Sequence, residues 1–155
     1  MSKVIFTIVF YVSLDKLPYY MSVTYTLIEY TPFRVQFDAL DKDVQVAISN
    51  EISKLRGDPY CKESKPLGWD LEGIRRIHVG RIQGILYCVA YVICEECKDN
   101  NLEEKFSCLD CFKRSWYHIK LISCGRRDDF YINLKKNWQT WMQTVDLEKL
   151  FSELE

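Results

Sequence analysis

Four of the seven cysteines form two close pairs, Cys94-Glu-Glu-Cys97 and Cys108-Leu-Asp-Cys111, with ten residues between them. A C-x-x-C pair lets two thiolates converge on one cation, and a spacer of this length can bring two pairs together. Four thiolates in a tetrahedron, at about 2.3 Å per Zn–S bond, suit Zn(II) best, with iron as the alternative. Four protein ligands fill the coordination sphere. Cys94, Cys97, Cys108 and Cys111 therefore predict a structural metal with no open position for a substrate. The odd total argues against a complete disulfide framework, and Cys61, Cys88 and Cys124 read as small buried hydrophobes.

The second chemically suggestive feature is segregated charge. Residues 73–92 carry Arg75, Arg76 and Arg81 and no acid, and residues 112–127 carry Lys113, Arg114, Lys120, Arg126 and Arg127, again with no acid. These stretches take eight of 21 basic residues and leave 13 against 22 acids elsewhere, although the whole chain has a net charge of −1. A cationic surface on a nearly neutral protein is what phosphate binding requires. The plain alternative is two solvated strand faces on which charge happens to cluster. Arg76 and His78 alternate on one predicted strand, so both side chains point to one sheet face.

The elements that must position these residues fit one domain. The chain has 155 residues, 48% of them hydrophobic and 14% aromatic, with six Gly and four Pro. A domain of this size buries roughly two-thirds of its unfolded surface and needs no disulfide scaffold. That composition excludes a disordered or low-complexity chain. The apolar run at residues 4–12 is far short of the roughly 20 residues that span a bilayer. No small-x-small cleavage site follows it, and a cytoplasmic protein that does not engage membranes is expected.

Residues 4–12 and 23–30 read as strands, being rich in β-branched and aromatic residues. Thr31-Pro32 offers an N-cap and a proline at the first helical position, opening a helix to residue 39. Asp41 caps a second helix, with Val44, Ala47, Ile48, Ile52 and Leu55 at helical spacing and Gly57 at its end. Strands follow over 74–79 and 84–93, joined near Gly80. The cysteine segment stands where the next hairpin turn would be, and a strand over 115–124 leads to a turn at 125–129. Residues 133–145 place Leu134, Trp138, Trp141, Met142 and Val145 on one helical face, and 147–154 continue as helix. Grouped strands and helices predict an α+β fold, a helical hairpin packed on a small, mainly antiparallel sheet with a zinc-ribbon-like hairpin insert.

Between residues 25 and 131 the order of pieces resembles the RelE/ParE superfamily of toxins. An opening strand ends in Glu-Tyr-Thr-Pro, then come a helical hairpin, Lys65-Pro-Leu, and Asp70-Leu-Glu-Gly73. The strand pair around Ile74-Arg-Arg-Ile-His-Val-Gly80 and Ile85-Leu-Tyr87 follows, and a last strand ends in Gly-Arg-Arg127 before Asp-Asp-Phe-Tyr131. The resemblance divides the chain into an N-terminal extension (1–20), a RelE-like domain (21–137) holding the zinc-binding insert 94–111, and a C-terminal helical extension (138–155). A start at Met21 would give the usual family length.

The resemblance implies a toxin of a toxin–antitoxin system, an mRNA endoribonuclease that is often ribosome-associated and is silenced by a cognate antitoxin. The family's chemistry is metal-independent, a 2′-hydroxyl attack giving a 2′,3′-cyclic phosphate, with cations stabilising the phosphorane. Carried over by position, Arg76, His78, Arg81, Arg127 and Tyr131 are the expected catalytic residues. Arg75, Lys120 and Arg126 are the expected RNA-binding residues. The family's arginine before the Val-Ile-Tyr-type run is replaced here by Gln83-Gly84, and Arg81 would take its place if Gly84 made a bulge. The alternatives are a ParE-like toxin that binds a topoisomerase without cleaving RNA, and an inactive RelE-fold module that binds nucleic acid or protein.

Overall fold

The computed structural model describes residues 23–102 and 117–138. The expected strand at 4–12, Cys108 and Cys111, Trp141, Met142, Val145 and the helix at 147–154 lie outside them. The described elements are β1 (Thr26–Glu29), α1 (Thr31–Asp38), α2 (Lys42–Gly57), β2 (Lys65–Pro66), β3 (Arg75–Ile82), β4 (Ile85–Ile93), α3 (Cys94–Asp99) and β5 (His118–Arg126). A further helix, α4, covers 127–138. A short 3-10 turn, Trp69–Leu71, links β2 to β3. Among the described residues the fold is mixed α+β, and the sheet order is β1-β5-β4-β3-β2. β1 runs parallel to β5, whereas the other pairings are antiparallel.

The middle strand explains the layering. β4 reads ILYCVAYVI, apolar at every position, because it is flanked by β5 and β3 and covered on both faces. Its odd-numbered side chains pack with Phe33 of α1 and Val44, Ile48, Ile52 and Leu55 of α2. Those four α2 residues recur at helical spacing and form its buried stripe. The even-numbered side chains Cys88, Ala90 and Val92 pack with Phe130, Leu134 and Trp138 of α4 on the other face. Full burial of a side chain such as Phe130 or Leu134 contributes about 1.5–3 kcal/mol relative to leaving it in water. The helical hairpin and α4 thus sandwich the sheet.

Several expected boundaries move, each for a local reason. Thr31 lies inside α1 and Tyr30 occupies the N-cap position, while Asp41 does precede α2 as expected. β3 and β4 do not join near Gly80. The chain reverses at Gln83-Gly84, where both residues have positive φ (54° and 80°), the backbone that a two-residue hairpin turn demands. Gly80, at φ 118°, instead marks a bulge between His78 and the residues after it. The bulge expected of Gly84 is therefore at Gly80. Finally, β5 keeps pairing with β4 through Gly125 and Arg126, and a helix begins at the next residue. The turn expected at 125–129 is replaced by this direct strand-to-helix junction.

Candidate active site

The strand β3 presents different cationic groups on its two faces. Arg76 and His78 lie opposite Ala90 and Cys88, on the α4 face. The Arg76 guanidinium Nη1 contacts His78 Nε2, so the two side chains that alternation placed together do touch. Because an arginine can only donate, a hydrogen bond between them requires Nε2 as the acceptor, with the ring proton on Nδ1. Arg127, exposed at the first turn of α4, is near enough for its charge to act on His78. Burial, then the charges of Arg76 and Arg127, hold His78 below the ordinary imidazole value of 6.5. Beneath them the Cys88 thiol is pushed up to about 11 by burial, against the pull of the same two arginines. It is an inert floor.

The bulge adds a residue on one strand and so reverses the alternation beyond it. Arg81, an odd-numbered residue, pairs with Leu86 and joins the face of Arg76 and His78. Its Nη1 donates to the Gly84 carbonyl at 3.0 Å. Tyr131 lies four residues after Arg127, hence on the same side of α4. It is half-buried against the α4-face core and meets Phe130 edge-on, ring centroids 5.1 Å apart. Arg126 is exposed at the end of β5 and lines a cavity of about 290 Å³ with Gln36, Asp129 and Asn133.

Two of the expected RNA-binding residues lie elsewhere. Lys120 is 1% exposed, with its Nζ 5.9 Å from the Tyr30 ring centroid. Arg75 is on the helical-hairpin face, because a strand turns neighbours to opposite sides. There its Nε and Nη2 reach Glu96 at 2.8 and 3.2 Å, its Nη1 reaches Ser64 at 3.1 Å, and it lies 5.0 Å from the Tyr60 ring centroid. Lys120 is thus buried, and Arg75 is ion-paired with Glu96. Charge counts along the sequence did not separate them from the exposed set because burial is decided by neighbouring strands.

Glu95 and Glu96, the residues between the first two cysteines, anchor α3 to the sheet. Glu95 is buried and accepts from Tyr25 Oη and, at 3.2 Å, from Tyr60 Oη. Burial and this carboxylate push both tyrosine pKa values up. Cys94 and Cys97 are reduced, buried and three apart on α3. That spacing makes them neighbours on one helical face, as a pair of metal ligands must be. Residues 94–99 form a helix where a ribbon hairpin was expected. Among the described residues no three potential ligands come together.

The His78 environment has a measurable consequence. A lowered pKa keeps the imidazole neutral down to pH values below 6.5. Proton titration of His78 by NMR is expected to give a midpoint below 6.5, and Arg127→Ala is expected to move it upward. A midpoint at or above 6.5 in the unsubstituted protein would contradict this arrangement.

No family model matches the chain, and no curated protein sequence matches it. Among solved structures it is similar to the toxin–antitoxin complex RelBE2 from Mycobacterium tuberculosis. The identity is 19%, covering 68% of this chain and 100% of that one, with a TM-score of 0.47. Among the described residues no helix is long and apolar enough to cross a membrane.

Proposed function

We propose that this protein is a RelE-type toxin that cleaves mRNA without a catalytic metal and is silenced by a cognate antitoxin. One observation carries the reading: Arg76 and His78 of β3 and Arg127 of α4 converge on one sheet face. Two guanidiniums can hold the oxygens of one phosphate and stabilise the charge that builds on them. Neutral His78 can take the proton of the attacking 2′-hydroxyl. Its Nε2 is engaged by Arg76 in the free protein, so phosphate binding by Arg76 would release it. Tyr131 offers a ring to a neighbouring base. The order of motifs that resembles the RelE/ParE superfamily supports the same reading, and mRNA, on the ribosome or free, is the proposed substrate.

The experiment is cleavage of an RNA oligonucleotide in EDTA, followed by analysis of the product ends. Cyclic phosphate and 5′-hydroxyl ends are expected, with binding that weakens steeply as salt rises. Products with 3′-hydroxyl and 5′-phosphate ends, or a reaction that requires an added divalent cation, would overturn the proposal.

A second reading, the topoisomerase-binding toxin, is favoured by the β3–β4 turn. Gln83 occupies the position before Gly84, its Nε2 3.5 Å from Asp43, and Arg81 is turned onto the Gly84 carbonyl. Topoisomerase inhibition without any RNA product would select that reading. For the cysteine segment we propose one structural Zn(II), held by Cys94 and Cys97 together with Cys108 and Cys111.

A further inference from the structure

We propose that the candidate site continues along α4 into a track for single-stranded RNA that ends on Trp69. This rests on the nuclease reading above and extends it from one phosphate to several nucleotides. Arg127, Tyr131 and Lys135 are spaced four apart and form a single stripe on α4. The stripe borders the buried one of Phe130, Leu134 and Trp138, so it stays beside the sheet. Eight residues of helix measure about 12 Å, the rise of three or four nucleotides stacked at about 3.4 Å each. At its far end Lys135 and the segment Gly68–Leu71 line a cavity of about 420 Å³.

Trp69 in that segment is 96% exposed, although its backbone is anchored and unusual. Its φ is +58°, a left-handed conformation that a bulky residue rarely adopts. The carbonyls of Gly68 and Trp69 accept from Leu71 and Glu72, and Leu71 packs into the α4-face core. An indole held out in water on a fixed turn is a stacking surface without a partner among the described residues. Cations and rings alternate along the path: Arg127, Tyr131, Lys135, Trp69. Single-stranded nucleic acids are bound by this combination of cationic groove and aromatic platforms, which tolerates any base sequence. The acid Asp70 also lines the cavity, which favours a strand whose bases, not phosphates, face that end.

The test is fluorescence anisotropy with all-2′-O-methyl RNA oligonucleotides of three and eight nucleotides, which cannot be cleaved. Trp69→Gly, which suits the positive φ, is expected to weaken binding of the eight-mer about 5-fold or more, as loss of one stacking platform should. The three-mer should bind as to the unsubstituted protein. Trp69→Phe should restore most of the loss, and Lys135→Ala should weaken the eight-mer and flatten its salt dependence. Equal eight-mer affinity for Trp69→Gly and the unsubstituted protein would overturn the track while leaving cleavage at Arg127 intact. If the unsubstituted protein neither binds nor cleaves RNA, the nuclease reading falls and the track falls with it.

Discussion

Arg127→Ala is expected to lower RNA cleavage about 100-fold or more without loss of the fold. The magnitude is that of removing one preorganised donor from a developing oxyanion. Arg127 is suited to that role because it is exposed at a junction whose geometry is tightly held. β5 pairs with β4 up to Arg126, and Phe130 and Leu134 pin the following helix to the sheet. Its guanidinium can present two parallel N–H groups to phosphate oxygens, which lysine cannot reproduce. Because the side chain is exposed, its removal leaves no cavity, and circular dichroism and melting temperature should change little. Arg127→Lys should recover only part of the rate. A fully active Arg76→Ala/Arg127→Ala double variant would remove the site assignment.

Freshly purified, reduced protein is expected to contain about one zinc ion per chain, and Cys94→Ser or Cys97→Ser to lose it. The energetic effect should be the largest of any single change in the molecule. Structural zinc contributes apparent free energies of about 10–16 kcal/mol in small peptides at neutral pH. Here the first two thiols are buried on a helix whose position is set by Glu95 with Tyr25 and Tyr60, and by Glu96 with Arg75. That placement keeps the pair together before a metal arrives, so less ordering entropy opposes binding. Loss of metal should lower the melting temperature and increase protease cutting within 94–111. The rest of the sheet has its own two-sided core and should persist. Metal analysis that finds neither zinc nor iron would end the proposal.

Short-range rules were enough for much of this protein. The apolar stripe Val44–Ile48–Ile52–Leu55 identifies α2 because its side chains must share one helical face to be buried. The run of nine apolar residues in β4 likewise indicates a strand. Alternation put Arg76 and His78 on one face because strand geometry has a period of two. The C-x-x-C pairs and the ordered motifs of the RelE/ParE resemblance are likewise properties of the chain itself.

The tertiary structure decided which cations face water, and where the period breaks. Lys120 and Arg126 belong to the same basic stretch, yet one is buried beneath Tyr30 and the other stands at the end of β5. Arg75 and Arg76 are neighbours, yet one is held by Glu96 and the other meets His78. Neither the burial of Lys120 nor the capture of Arg75 is written in a run of charges, since their partners Tyr30 and Glu96 lie 90 and 21 positions away. The bulge at Gly80 is the same kind of fact. One extra residue on β3 reverses the parity and carries Arg81 onto the face of Arg76, a switch set by pairing with β4. Local sequence specifies periods and caps through steric and burial preferences, whereas the registers that bring distant side chains together arise only when the strands pair.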